Sequence, residues 1–125
     1  IAPGDYHLEL FRDEGAVTTR LTQGPRENSC RPAADVLFRS AAAVYGSGVL
    51  GVVLTGMGQD GLEGCRVVTK AGGRVIVQDE ASCVVWGMPK AVERAGLASV
   101  VCPLQEVAGE IMRHVVARAA AGGGV

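Results

Sequence analysis

The sequence predicts an α/β domain built on a three-layer, doubly wound, mostly parallel sheet, with an N-terminal β-hairpin and incomplete as a domain. Three observations predict it. From Pro32 onward, short apolar strand patterns alternate with helical ones. The run at 49–54 is apolar throughout, as in strands buried on both faces. The 18 glycines, about twice the usual share, cluster where strands would hand over to helices.

Residues 6–12 alternate, with Tyr6, Leu8 and Leu10 on one side and His7, Glu9 and Phe11 on the other. That pattern puts His7 on the polar side. Residues 17–22 are β-rich, and Gly15 marks the turn of a hairpin spanning 6–22. Residues 24–31 lack periodicity and read as a loop. The α/β core follows, over 32–118. Pro32 suits a first helical turn, and Val36, Leu37, Ser40, Ala41 and Val44 form a stripe that ends at Gly46 or Gly48. After the strand at 49–54 come a glycine-rich turn at 56–61 and a helix with Leu62, Arg66, Thr69 and Lys70, stopped by Gly72 and Gly73. A second strand spans 74–78, and a loop leads to Pro89, which starts a helix through Arg94. A third strand covers 99–102, and Pro103 starts a last helix with Leu104, Val107, Ile111 and Val115 on one face. The tail, 119–125, should fray.

A length of 125 residues bounds the chain to one domain, and 48% apolar residues exclude a disordered one. The core should be aliphatic, since Tyr6, Phe11, Phe38, Tyr45 and Trp86 are the aromatics. A net charge of −1 without basic runs argues against nucleic acid and anionic membrane as partners. Residues 41–58 are uncharged, the minimum length for a membrane span, but five glycines break that stretch and no insertion is expected. Cys30, Cys65, Cys83 and Cys102 form no CxxC pair and lie far from His7 and His114. Zinc and disulfides are therefore not expected; the cysteines read as small buried thiols of a cytoplasmic protein. The start at Ile1, without Met, reads as an excised piece.

Residues 55–61, TGMGQDG, contain GxGxxG between a strand and a helix, and Asp79 ends the next strand. Those are elements of a dinucleotide-binding fingerprint, one alternative reading. Against it, Asp60 and Glu63 place carboxylates where a pyrophosphate would sit on the helix N-terminus. Asp60 is open to two readings from the residues alone. It is a helix cap worth about 1 kcal/mol, or it is the acid that orients a histidine beside N–H groups able to bind an oxyanion. As a cap it would tolerate Asn at well under ~1 kcal/mol.

Four segments carry a family resemblance: IAPGDYHLEL at 1–10, CRPAADVLFRSAA at 30–42, TGMGQDG at 55–61 and EASCVVWGMP at 80–89. In this order they resemble the bacterial chemotaxis protein-glutamate methylesterases, over the C-terminal part of the catalytic domain. The resemblance implies a cytoplasmic serine hydrolase that removes methyl esters from glutamates on chemoreceptor helices and deamidates some glutamines. It implies a Ser-His-Asp triad in that chain order, with Asp60 as the acid and the Met57 backbone N–H in the oxyanion hole. It implies no cofactor or metal, and an N-terminal receiver domain in the full-length protein. The family's Ser and His lie upstream of IAPGD, so this stretch by itself is expected to be inactive. Ser82 reads as a loop or cap serine, His7 as a surface residue, and His114 as a cation suited to a helix C-terminus. Trp86 and Met88 read as packing residues, with a substrate cleft as the alternative, and Ala33 stands where the family often has Ser. A non-catalytic interaction module, or a relative acting outside chemotaxis, also stays open.

Overall fold

The computed structural model describes residues 1–121. Strands β1 (His7–Asp13) and β2 (Ala16–Thr22) pair antiparallel, with His7 opposite Thr22 and Asp13 opposite Ala16. Glu14 and Gly15 both adopt positive φ, 48° and 84°, as a two-residue hairpin turn requires. The hairpin lies against α1 (Ala34–Tyr45), where the Leu10 N–H donates to Ser40 Oγ at 3.0 Å. Asp5 fastens the N-terminal segment to the following loop through Arg31 (2.5 Å) and Arg26 (3.2 Å). The Arg31 hydrogen bond above all holds the Asp5 carboxyl below the usual carboxylate range.

The second sheet is parallel: β3 (Leu50–Val53), β4 (Arg74–Gln78) and β5 (Val100–Cys102), in that order, with β4 central. Val53 of β3, and Val75 and Val77 of β4, face α1, α2 (Leu62–Lys70) and α3 (Met88–Arg94), meeting Ala42, Cys65, Val68 and Val92 in the larger core. Ile76 and Cys102 face the opposite way, toward Val107 and Ile111 of α4 (Leu104–Ala120). Alternation along the strands thus supplies two apolar faces, and helices cover both. The three layers and the hairpin are those the sequence predicts.

Gly51 and Gly64 let α1 approach. A Cβ on Gly51 would lie 3.1 Å from the Phe38 ring, and one on Gly64 2.6 Å from Phe38 Cβ. Close backbone approach explains glycine there.

Several details differ from the sequence reading. Pro32 lies before α1 rather than in its first turn, because Ala33 has the extended conformation of an N-cap. The buried positions of α1 are Asp35, Val36 and Ala42, since the helix is held between hairpin and α2 and not on one face only. On α4, Val107 is buried and Ile111 half-buried, while Leu104 and Val115 are exposed. The expected tail begins inside α4, which runs through Ala120; residues 122–125 lie outside the described residues. Cys65 and Cys102 are buried, but Cys30 and Cys83 are partly open to solvent, and all four are free thiols. Among the described residues, no helix is long and apolar enough to cross a membrane.

Burial pushes the Cys65 thiol up to about 12 from an ordinary 9.0. The folded value lies above the unfolded one, so this contribution is complete below pH 9 and lost as pH rises toward 12. Stability should fall by up to about 1.4 kcal/mol per pH unit across that window. Denaturant titrations at pH 8 and 10.5 should show the loss, and Cys65→Ala should flatten it. An equal loss in Cys65→Ala would assign the dependence to other groups.

Candidate active site

The carboxyl ends of β3 and β4 are joined by a network that the turn 55–61 completes. Gln78, 1% exposed at the end of β4, accepts the Thr55 N–H at 2.8 Å and donates to the Ser82 carbonyl at 2.8 Å. Thr55 Oγ1 accepts the Val85 N–H at 2.8 Å and donates to the Val85 carbonyl at 3.1 Å. The Gly56 N–H donates to Val85, and the Gly56 carbonyl accepts the N–H groups of Gly87 (3.1 Å) and Met88 (2.8 Å). The two loops therefore cross like short parallel strands at Gly56 and Trp86.

Gly87 makes that crossing possible. A Cβ there would lie 2.6 Å from the Gly56 carbonyl oxygen and 3.0 Å from the Gly58 nitrogen. Beyond the crossing the Met57 side chain is 84% exposed. Among the described residues, neither the Met57 nor the Gly58 N–H donates to another group. Free backbone N–H groups of this kind are able to bind an oxyanion.

Asp60 follows, half-buried, and its carboxylate caps α1 rather than the helix that its own turn opens. Oδ2 accepts the Ala34 N–H at 2.6 Å, and Oδ1 accepts the Asp35 N–H at 3.0 Å. Asp35 returns the contact. It is 2% exposed, and its Oδ1 accepts the N–H groups of Gly61 (3.0 Å) and Gly64 (2.7 Å) at the start of α2. The two N-cap residues, Ala33 and Gly61, have no side-chain oxygen to offer, so each helix is capped from the other. Asn28 bridges the pair, donating to Asp35 Oδ2 at 2.9 Å and to Asp60 Oδ1 at 3.5 Å. It stands at positive φ, 53°, in a turn closed by Glu27 and Cys30 and anchored by Arg39 on Glu27 at 2.7 and 2.5 Å. That pairing holds the Glu27 carboxyl below its usual range.

A carboxylate offers about four acceptor positions. Asp60 uses two on Oδ1 and one on Oδ2, which leaves one on Oδ2 for an outside donor. No basic side chain pairs with it among the described residues.

His7 is a correction to the sequence reading: it is 2% exposed, not on the surface. Its Nδ1 accepts the Ala33 N–H at 3.2 Å and its Nε2 donates to the Pro25 carbonyl at 2.9 Å, so one ring nitrogen is committed to the α1 entry and the other to the loop before it. Ser82 is a cap serine as expected: Oγ donates to Asp79 at 2.7 Å and accepts the Leu104 N–H of α4 at 3.0 Å. His114 lies away from the turn, lining two clefts along α4 of about 490 and 640 Å³. The dinucleotide reading fails on the same contacts. The buried Asp35 carboxylate fills the N-terminus of α2, and Asp79, the would-be ribose ligand, is engaged by Ser82.

The CheB methylesterase family profile matches residues 1–111. The chain belongs to the CheB methylesterase family. It is 59% identical over 115 residues to the protein-glutamate methylesterase/protein-glutamine glutaminase of Nocardioides sp., covering 92% of this chain and 31% of that protein. The protein of the same name from Trichodesmium erythraeum is 57% identical over 115 residues, covering 92% and 33%. The crystal structure of the Thermotoga maritima CheB methylesterase catalytic domain superposes with a TM-score of 0.87 at 40% identity, over 89% of this chain and 59% of that one. The chain thus spans about a third of the curated CheB relatives that it matches.

Sequence reasoning singled out Asp60 and Met57 but missed Asp35, Asn28, Gln78 and Gly87. Asp35 carried a weak signal, an acid in the first turn of α1. Asn28 carried another, an Asn in an aperiodic loop, which tolerates positive φ. Gln78 read as one more strand residue, and nothing in the sequence marks it.

Proposed function

We infer that this chain forms the C-terminal part of the catalytic domain of a protein-glutamate methylesterase, a serine hydrolase acting on esterified glutamates, and on some glutamines, of chemoreceptor helices. Asp60 is its triad acid and the Met57 N–H an oxyanion donor. The observation that carries this reading is the Asp60 carboxylate, fixed by two backbone N–H groups at the carboxyl end of the sheet with one acceptor position left. A histidine from the upstream part of the domain donates to that position and takes the proton of a serine, whose Oγ attacks the ester carbonyl. The negative oxygen forms against the turn N–H groups, methanol leaves with the histidine's proton, and water releases the acyl group. A receiver domain on the full-length protein is the partner that the family resemblance adds.

Met57 gives a direct test, because the role belongs to its backbone. In a full-length methylesterase carrying this chain, Met57→Ala should demethylate receptors within about threefold of the parent rate, since only an exposed side chain is lost. Met57→Pro removes the N–H and should cost roughly 10² to 10³ in rate. Equal rates for the two variants would remove Met57 from the oxyanion hole.

A further inference from the structure

Beside the turn lies a cleft of about 570 Å³ with Gly58, Trp86 and Gly87 in its wall. Lys90 and Arg94 are the charged groups that line it among the described residues. Both stand on the Trp86 ring, Lys90 Nζ at 5.5 Å and the Arg94 guanidinium at 5.6 Å from its centroid. The ring face stabilises cations and holds the two side chains in place. Yet Lys90 and Arg94 are four residues apart on α3, where like charges destabilise a helix. Neither makes an ion pair among the described residues, although Arg66 and Arg113 both pair with nearby glutamates. Two cations set on one ring face, without a carboxylate partner and beside a candidate oxyanion turn, offer a place for an anion from outside.

We propose that Trp86, Lys90 and Arg94 form a docking surface for an acidic helical segment of the substrate protein, flanking the esterified glutamate. The proposal rests on the methylesterase reading and adds the side of the site on which the substrate chain lies. The ester is neutral and gives the cations nothing to hold, so the charge they meet belongs to neighbouring residues. Gly58 connects the two regions, since it belongs both to the turn and to the cleft wall.

The test uses a full-length methylesterase carrying this chain, and the double variant Lys90→Gln with Arg94→Gln. Two labelled helical peptides each carry one glutamate methyl ester, one flanked by Asp and Glu, the other by Asn and Gln. Binding is followed by anisotropy, and hydrolysis of a small neutral ester serves as control. The parent should bind the acidic peptide about tenfold more tightly, and the double variant should lose that preference. The preference should also shrink between 50 and 300 mM salt, as the Debye length falls from about 14 to about 6 Å and screens the attraction. Small-ester hydrolysis should be the same in both proteins. Equal affinities of the parent for the two peptides, or a preference kept by the variant, would overturn the docking surface. So would an equal loss for both peptides, the outcome of a cleft that packs against another domain, or a small-ester defect confined to the variant. A parent that hydrolyses no ester at all would instead sink the methylesterase reading.

Discussion

Asp60→Asn, in a full-length methylesterase carrying this chain, is expected to lower receptor demethylation by roughly 10³ to 10⁴. Asn cannot stabilise the imidazolium that forms as the serine is deprotonated, and its amide N–H₂ favours the wrong histidine tautomer. The sequence alone suggested almost no stability cost, because Asn is a good cap. The structure raises that expectation. Both carboxylate oxygens accept a backbone N–H, from Ala34 at 2.6 Å and from Asp35 at 3.0 Å, and an amide can accept only one of them. One N–H at the start of α1 then faces another donor, at a cost of about 1–2 kcal/mol. Rate must therefore be measured at a temperature where thermal unfolding shows the variant folded. A pure cap loses stability and keeps its rate. Demethylation by folded Asp60→Asn within threefold of the parent would remove Asp60 from the triad.

Asp35→Ala is expected to cause the largest stability loss in this part of the molecule, about 3–4 kcal/mol. Three donors converge on this buried carboxylate: Gly61 at 3.0 Å, Gly64 at 2.7 Å and Asn28 at 2.9 Å. Truncation leaves two buried N–H groups at the start of α2 without an acceptor, and each such group costs about 1–3 kcal/mol. In a domain of roughly 200 residues that loss should lower the thermal midpoint by on the order of 10 °C. Asp35→Asn retains one acceptor and should lose about half as much. Because the Asp60 turn is held by these bonds, folded Asp35→Ala should also demethylate more slowly, about tenfold, through displacement of Asp60. A midpoint within 2 °C of the parent would show that α2 and its turn are positioned by other contacts.

The legible part of the candidate site was its glycine-rich turn. TGMGQDG follows an apolar strand and opens a helix, so chain order alone put Asp60 and Met57 at the carboxyl end of β3. The contacts that orient them were not legible, because they link residues distant in sequence. Asp60 reaches back to Ala34, and Gln78 ties Thr55 to Ser82. His7 misled for the same reason. Strand alternation assigns a face, and it does not say that the hairpin's polar face is covered by the loop carrying Pro25 and by the entry to α1.

What the sequence by itself determined was the set of elements and their class: β3, α2, β4 and α4 follow from periodicity, glycine stops and proline starts, which act over a few residues. It also determined the family, through four segments whose order survives any local error in placing a helix end. Tertiary structure decided where each polar group finds its partner. Asp60 and Asp35 are each competent to cap a nearby helix end, and local propensity cannot choose between the two. The choice falls to packing: Gly51 and Gly64 admit α1 so closely that the α1 and α2 N-termini face each other, and each then takes its cap from the other helix.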